Sequence, residues 1–122
     1  MIAANGRLTA VRGTTIDLDL VVTNPDGSAR DLSAGTLFFT LKHSLTEARL
    51  VFKSSAVPAE ITIDADPTTG LATVHLLPAD TSSLAPDPYM YDVHLWESAT
   101  VIWALQLASK LYLVQAATDA YV

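Results

Sequence analysis

The sequence contains no cysteine. Disulfides, thiolate metal sites and cysteine nucleophiles are excluded together, so the fold must rest on its core, on assembly, or on both. Basic residues are scarce as well: seven Lys and Arg stand against thirteen Asp and Glu, a formal net charge of −6. Arg7, Arg12, Arg30, Lys42, Arg49, Lys53 and Lys110 are scattered along the chain. Nucleic-acid binding draws its affinity from clustered cations on phosphates, and no nucleic-acid partner is expected. Long apolar runs are also missing. The most apolar stretch, Val101 to Val114, is broken by Gln106, Ser109 and Lys110 and falls short of the roughly 20 residues of a membrane helix. Met1 to Gly13 has no apolar core behind a basic start, so it does not read as a secretory signal. No membrane partner is expected.

What is present is a core. Half of the 122 residues are hydrophobic and 16% are charged, a balance that favours folding over disorder. A chain of this length forms one domain and buries roughly two-thirds of its unfolded surface. The period is two. In Thr14 to Thr23, Ile16, Leu18, Leu20 and Val22 alternate with Asp17, Asp19, Val21 and Thr23, the pattern of a half-buried strand. Thr36 to Lys42 repeats it, with Leu37, Phe39 and Leu41 on one face. Shorter strands are predicted at Leu50 to Lys53, Ile61 to Ile63 and Leu71 to Leu77, and a hairpin at Tyr89 to Trp96 and Thr100 to Leu107. Leu111 to Val114 closes the fold or extends the strand before it.

Between these runs stand turns. Asn24-Pro25-Asp26-Gly27 and Asp66-Pro67-Thr68-Thr69-Gly70 are built from turn-favouring residues. Pro78 to Pro86 is a connector with room for one helical turn around Ala79 to Leu84. Ser44-Leu45-Thr46-Glu47 has capping-box spacing, but too little chain follows to bury a helical face. About seven short strands without a long helix argue for an all-β antiparallel sandwich, with a closed barrel as the alternative. Ile16, Leu18, Leu20, Leu37, Phe39, Val74, Tyr91, Val93, Trp103 and Leu105 are expected inside. Residues 1–122 form a single domain in this reading, with mobile tails at Met1 to Gly6 and Gln115 to Val122.

The order of these pieces resembles a known family. Arg12-Gly13-Thr14-Thr15 opens an alternating strand, Asn24 to Leu32 forms a turn, and Thr36 to Lys42 follows. A Gly70 turn then precedes a strand containing Val74, and Tyr89-Met90-Tyr91-Asp92-Val93 comes after a Leu84 connector. The pattern, from about Leu8 to Val114, looks like the immunoglobulin-like N-terminal domain of phage baseplate upper proteins and of related short phage and prophage virion proteins. Family members often carry glycine in the final hairpin and before the last strand, where this chain has Glu97-Ser98-Ala99-Thr100 and Ser109-Lys110. The resemblance implies an immunoglobulin-like β-sandwich. In baseplate upper proteins the domain precedes long extensions carrying receptor-binding proteins; this chain stops after it, which points to a stand-alone attachment or decoration unit.

Catalytic signatures are weak. A Ser-His-Asp hydrolase needs a nucleophile on a strained turn and a base held by a carboxylate, and no G-x-S-x-G occurs. His75 and His94 fall on the polar phase of their strands, as surface imidazoles do. Asp64 to Gly70 lacks the distal bidentate Glu of a calcium loop; Asp residues capping their own turn explain it better. No cofactor, metal or small-molecule substrate is expected. A Tyr entering a strand after a Pro-containing connector reads as a tyrosine corner, assigned to Tyr89 or Tyr91. A sugar-stacking platform of Tyr89, Tyr91, Trp96 and Trp103 would need a ligand on the core phase of three of them.

The informative feature is an outward face. If Thr36–Lys42, Tyr89–Trp96 and Thr100–Leu107 are neighbours in one sheet, their outer phase carries Phe38, Met90, Trp96, Ile102 and Ala104. An apolar patch of that kind marks a contact surface. The expected function is therefore a non-enzymatic tailed-phage virion protein, assembled in the host bacterial cytoplasm. It would bind other virion proteins, in multiple copies of a symmetric assembly, as a tail, baseplate or fibre-attachment unit. The alternatives are capsid decoration and, more distantly, a carbohydrate-binding adhesin module.

Overall fold

Alternating side chains on long strands sort themselves into two layers. A computed structural model of the chain describes residues 8–115. Its strands are β1 (Leu8–Val11), β2 (Ile16–Val21), β3 (Thr36–Lys42), β4 (Arg49–Ser54), β5 (Ile61–Ile63), β6 (Leu71–Leu76), β7 (Pro88–Ser98) and β8 (Val101–Val114). A 3₁₀ turn (Pro67–Thr69) precedes β6 and a short helix, α1 (Pro78–Thr81), precedes β7. One sheet has the order β1-β8-β7-β3-β4 and the other β2-β6-β5. All pairings are antiparallel except β1 with β8. This is the immunoglobulin-like sandwich, in the variant with an extra strand beside the central hairpin sheet. It is not a closed barrel.

The inner faces meet in one core. Leu37, Phe39 and Leu41 of β3, Val93 and Leu95 of β7, Val74 and Leu76 of β6 and Ile61 of β5 are buried. Ile16 and Leu18 point inward as expected yet are only partly buried, because β2 is an edge strand: β1 pairs with β8 in the opposite sheet and leaves β2 uncovered on one side.

Trp103 corrects the expected core. Its register partner Leu95 is buried, so the inward phase holds, but Trp103 itself is 48% exposed. At this height the ring faces the β2–β3 connection and not the opposing sheet. It lines a crevice with Thr23, Asn24, Pro25 and Arg30, and the Arg30 guanidinium sits 5.3 Å from the ring centroid. Arg30 is held there by the Glu97 carboxylate and by Asn24 Oδ1 at 3.3 Å.

The connectors are fixed by specific polar contacts. Tyr89 supplies the tyrosine corner: it is buried, and its hydroxyl donates to the Ala85 carbonyl at 2.8 Å. Tyr91, two positions on, occupies the place of the second cysteine of antibody domains. Its ring stacks on Phe39, with centroids 5.8 Å apart. An aromatic pair thus fills the room that a disulfide and its tryptophan take elsewhere. Arg12 clasps the connector behind α1, donating from Nε to the Leu84 carbonyl at 2.7 Å and from a terminal nitrogen to that of Ser82. Its other terminal nitrogen donates to Gln115 Oε1 at 2.8 Å. Of the two expected tails only Gln115 lies within the described residues, and this contact holds it. The Asp66 turn caps itself as expected, its carboxylate accepting from the Thr68 amide at 3.1 Å. It ends on Gly70 at φ 71°.

Two elements differ from expectation, and one open alternative is decided. β1 was not foreseen. Of the two outcomes expected for Leu111 to Val114, the second holds: Val101 to Val114 is one continuous strand, and its pairing with β7 is irregular at three places. The helical turn begins at Pro78, because proline favours the first helical position.

Candidate interaction face

The outer face of the five-stranded sheet carries the exposed apolar side chains anticipated from strand phase, arranged by register. Phe38 on β3 stands between His94 of β7 and Ser54 of β4. Trp96 of β7 stands between Thr36 of β3 and Ile102 of β8. Ala104 lies opposite His94. Trp96 is 41% and Ile102 54% exposed, and Phe38 is half-buried. With Thr40, Arg49 and Phe52 they line a shallow hollow of about 400 Å³.

The structure therefore brings Phe38, Trp96, Ile102 and Ala104 together. Met90 shares their face but not their cluster. It pairs with Lys42 and Lys110, six positions from Trp96, or roughly 20 Å along an extended strand. Asp92 and His94 intervene, with Oδ2 and Nε2 3.6 Å apart.

Two residues of the face were missed. Phe52 of β4 stacks on Phe38, ring centroids 5.4 Å apart and 22° between planes. Arg49 lies over the other side of Phe52, its guanidinium carbon 4.0 Å from the ring centroid, a cation–π geometry that keeps a large ring partly covered. The sequence hides this because Arg49 to Ser54 presents Lys53 inward, where it pairs with Phe39 and bonds Asp80 at 2.8 Å. A lysine on the core phase inverts the apparent polarity of the strand. A register shift at Leu41/Lys42 then places Arg49 opposite Lys42.

The remaining candidate chemistry is dispersed. Tyr89 and Tyr91 are buried, while Trp96 and Trp103 are exposed on opposite faces of the sheet, so the four rings build no shared platform. His75 is partnered on the other sheet: Nδ1 lies 2.9 Å from Asp17 Oδ1 and Nε2 lies 2.7 Å from Thr62 Oγ1. This has the connectivity of a relay, yet the Thr62 hydroxyl donates to the Pro58 carbonyl at 2.7 Å, which leaves no free nucleophile there. His43 bonds Asp87 at 3.0 Å and lies near Glu47. The Asp87 hydrogen bond, reinforced by the charge of Glu47, raises its pKa above the usual imidazole value against a smaller opposing effect of desolvation. Among the described residues no group of three His, Asp or Glu converges as a metal site, and no helix is long and apolar enough to cross a membrane.

No family model matches the sequence, and no curated protein matches it. Among solved structures the fold is similar to the ectodomain of the teleost fish polymeric Ig receptor. The TM-score is 0.53 at 15% identity, over 95% of this chain and 50% of that one. The chain thus spans half the length of the receptor chain that it matches. At that identity the likeness establishes the immunoglobulin-like fold alone.

Proposed function

We propose that the chain is a non-enzymatic structural protein of a tailed-phage virion that binds other virion proteins, as a tail, baseplate or fibre-attachment unit, through the outer face of its five-stranded sheet. The observation that carries this reading is the cluster of exposed Phe52, Trp96 and Ile102 around half-buried Phe38. A large apolar side chain left in water forgoes about 1.5–3 kcal/mol of burial. Several on one face form the kind of patch that contact surfaces present. The sequence pattern running from Arg12-Gly13 to Tyr89-Met90-Tyr91 supplies the phage context. The energy of contact should concentrate in the central aromatic residues, as interface hot spots do.

Trp96→Ala and Phe38→Asp in a virus carrying this gene test the reading. Both variants should remain folded when isolated, by circular dichroism, and both should be depleted from purified particles. Normal incorporation of both folded variants, or a reconstructed particle with this sheet facing bulk water, would refute it.

A further inference from the structure

Charge is sorted between the two outer faces of the sandwich. On the five-stranded sheet the charged residues that share the outward phase are Lys42, Arg49, Lys110 and Asp92 among the described residues. On the three-stranded sheet they are Asp17 and Asp19, joined at the rim by Asp64. No described Lys or Arg belongs to that acidic face. Arg12 is engaged with the α1 connector, Arg30 with Glu97 and Lys53 with Asp80. A chain with a net charge of −6 thus has one face that is locally positive.

The acidic face is not merely a solvated one. Val21 and Leu71, register partners at its end, are 41% and 43% exposed. They flank a depression of about 480 Å³ together with Asp19, Thr62, Asp64 and Thr73. The two faces therefore match in kind: cations beside exposed aromatic rings on one, carboxylates beside exposed aliphatic side chains on the other.

We infer that the partner of the five-stranded face is a second copy of this chain, bound front to back through its three-stranded face. The inference rests on the reading of the five-stranded face as an interface and names what covers it. Charge selects this pairing over its rivals. Front to front would oppose Lys42 and Arg49 with their own copies, and back to back would oppose Asp17 and Asp19 with theirs; like-charge juxtaposition acts against both. A contact between two different faces is heterologous, so every bound copy still offers one free face of each kind. Such contacts propagate into rings or stacks, according to the rotation per step.

Sedimentation velocity of the purified chain at low and high salt, with Arg49→Glu and Asp19→Lys variants, tests this. Wild type should associate beyond a dimer and weaken as salt screens the contact. Each variant alone should associate at least about tenfold more weakly, since each loses one complementary charge and gains a repulsive one. Mixed in equal amounts, the two variants should associate again and grow beyond a dimer, because the reversed charge of the Arg49→Glu face also complements the reversed charge of the Asp19→Lys face. The intact acidic face of the Arg49→Glu copy then meets the intact basic face of the Asp19→Lys copy. A face that pairs with itself would be rescued by the same mixing only as far as a dimer. A wild-type chain that stays monomeric, a mixture that stays monomeric or stops at a dimer, or an Asp19→Lys variant that associates like wild type would each overturn the inference. Circular dichroism of both variants guards against a folding defect, and Asp17→Lys replaces Asp19→Lys if the latter is unfolded. Loss of Trp96→Ala from particles alongside a monomeric chain would leave the proposed function standing and this inference refuted. Front-to-back association alongside normal incorporation of Trp96→Ala would do the reverse.

Discussion

Gly70→Ala should be the most damaging single-methyl change in this chain. Gly70 lies at φ 71°, and a Cβ there would overlap the Val22 carbonyl oxygen and approach the Arg30 backbone nitrogen and oxygen to 3.2 Å. The left-handed conformation alone costs an L-residue about 1–2 kcal/mol. The overlap cannot be relieved by turning a side chain, because the obstacle is backbone already bonded in place. Val22 N donates to the Gly70 carbonyl at 2.8 Å, and Arg30 N donates to the Val22 carbonyl at 3.0 Å. Moving Val22 away weakens both bonds, at about 1 kcal/mol each. The total is about 3–4 kcal/mol, a large share of the roughly 5–15 kcal/mol that holds a domain together. Gly27 is the internal control: it also has positive φ, at 89°, but a Cβ there meets nothing within 4 Å, so Gly27→Ala should cost only the conformational part. In urea unfolding, Gly70→Ala should lower the midpoint by about 1.5–2 M and Gly27→Ala by about 0.5–1 M. Equal, small shifts for the two variants would show that the Val22–Gly70–Arg30 crossing is looser in solution than described, and would refute the reasoning.

Other contacts give sharper asymmetries. Tyr89→Phe removes only the hydroxyl bonded to Ala85 and should cost about 1 kcal/mol in urea unfolding, whereas Tyr91→Ala, which empties the ring stacked on Phe39, should cost about 3–5 kcal/mol. Lys53 has a side chain 9% exposed against Asp80, so Asp80→Ala should cost about 2–3 kcal/mol by stranding a buried charge. Lys53→Met, which fills the same space without one, should cost under about 1.5 kcal/mol by the same measurement. His43 has its folded pKa raised by the Asp87 hydrogen bond and the Glu47 charge. Its pairing therefore stabilises the fold fully below the ordinary imidazole value of about 6.5 and is lost as pH rises through the higher folded value. Proton NMR titration should place His43 above that ordinary value and Asp87→Asn should move it down; an unchanged midpoint would show that the pair does not form.

The fold was legible where alternation was clean. β3, and β7 as far as Trp96, keep period two, and their inner and outer residues follow from the first correct assignment. The Asp66 turn and the tyrosine corner carried their own chemistry, and the structure assigns the corner to Tyr89, whose hydroxyl donates to the Ala85 carbonyl. β1 was illegible for a physical reason: Leu8 to Val11 is held by parallel pairing to β8, more than a hundred positions later, and a four-residue strand has no period to read. Trp103 failed differently. Phase gives the direction of a side chain, but not whether the opposing sheet reaches that far. The candidate face was legible through Phe38, Trp96, Ile102 and Ala104, and illegible at Phe52, where inward Lys53 reversed the polarity signal. Phase says nothing of separation along a strand, which is why Met90 shares the face and not the cluster.

The same asymmetry links the fold to the proposed working surface. By joining the five-stranded sheet, β1 leaves only β2, β6 and β5 in the other layer, so a wide sheet lies over a narrow one. The core needs only the inner residues of the wide sheet, and among the described residues its buried side-chain polar atoms all have partners. Nothing in the packing of that core requires an exposed tryptophan and an exposed isoleucine on the outer side of β7 and β8. A polar residue at Trp96 or Ile102 would cost the isolated domain little, since surface changes away from special contacts usually stay within about 0.5 kcal/mol. Fold stability and face chemistry are therefore separable in this molecule. Changes at Gly70, Tyr91 or Asp80 report on the sandwich. Under the proposed reading, changes at Trp96, Arg49 or Asp19 should leave the sandwich standing, and any loss of assembly they cause would then belong to the contact itself.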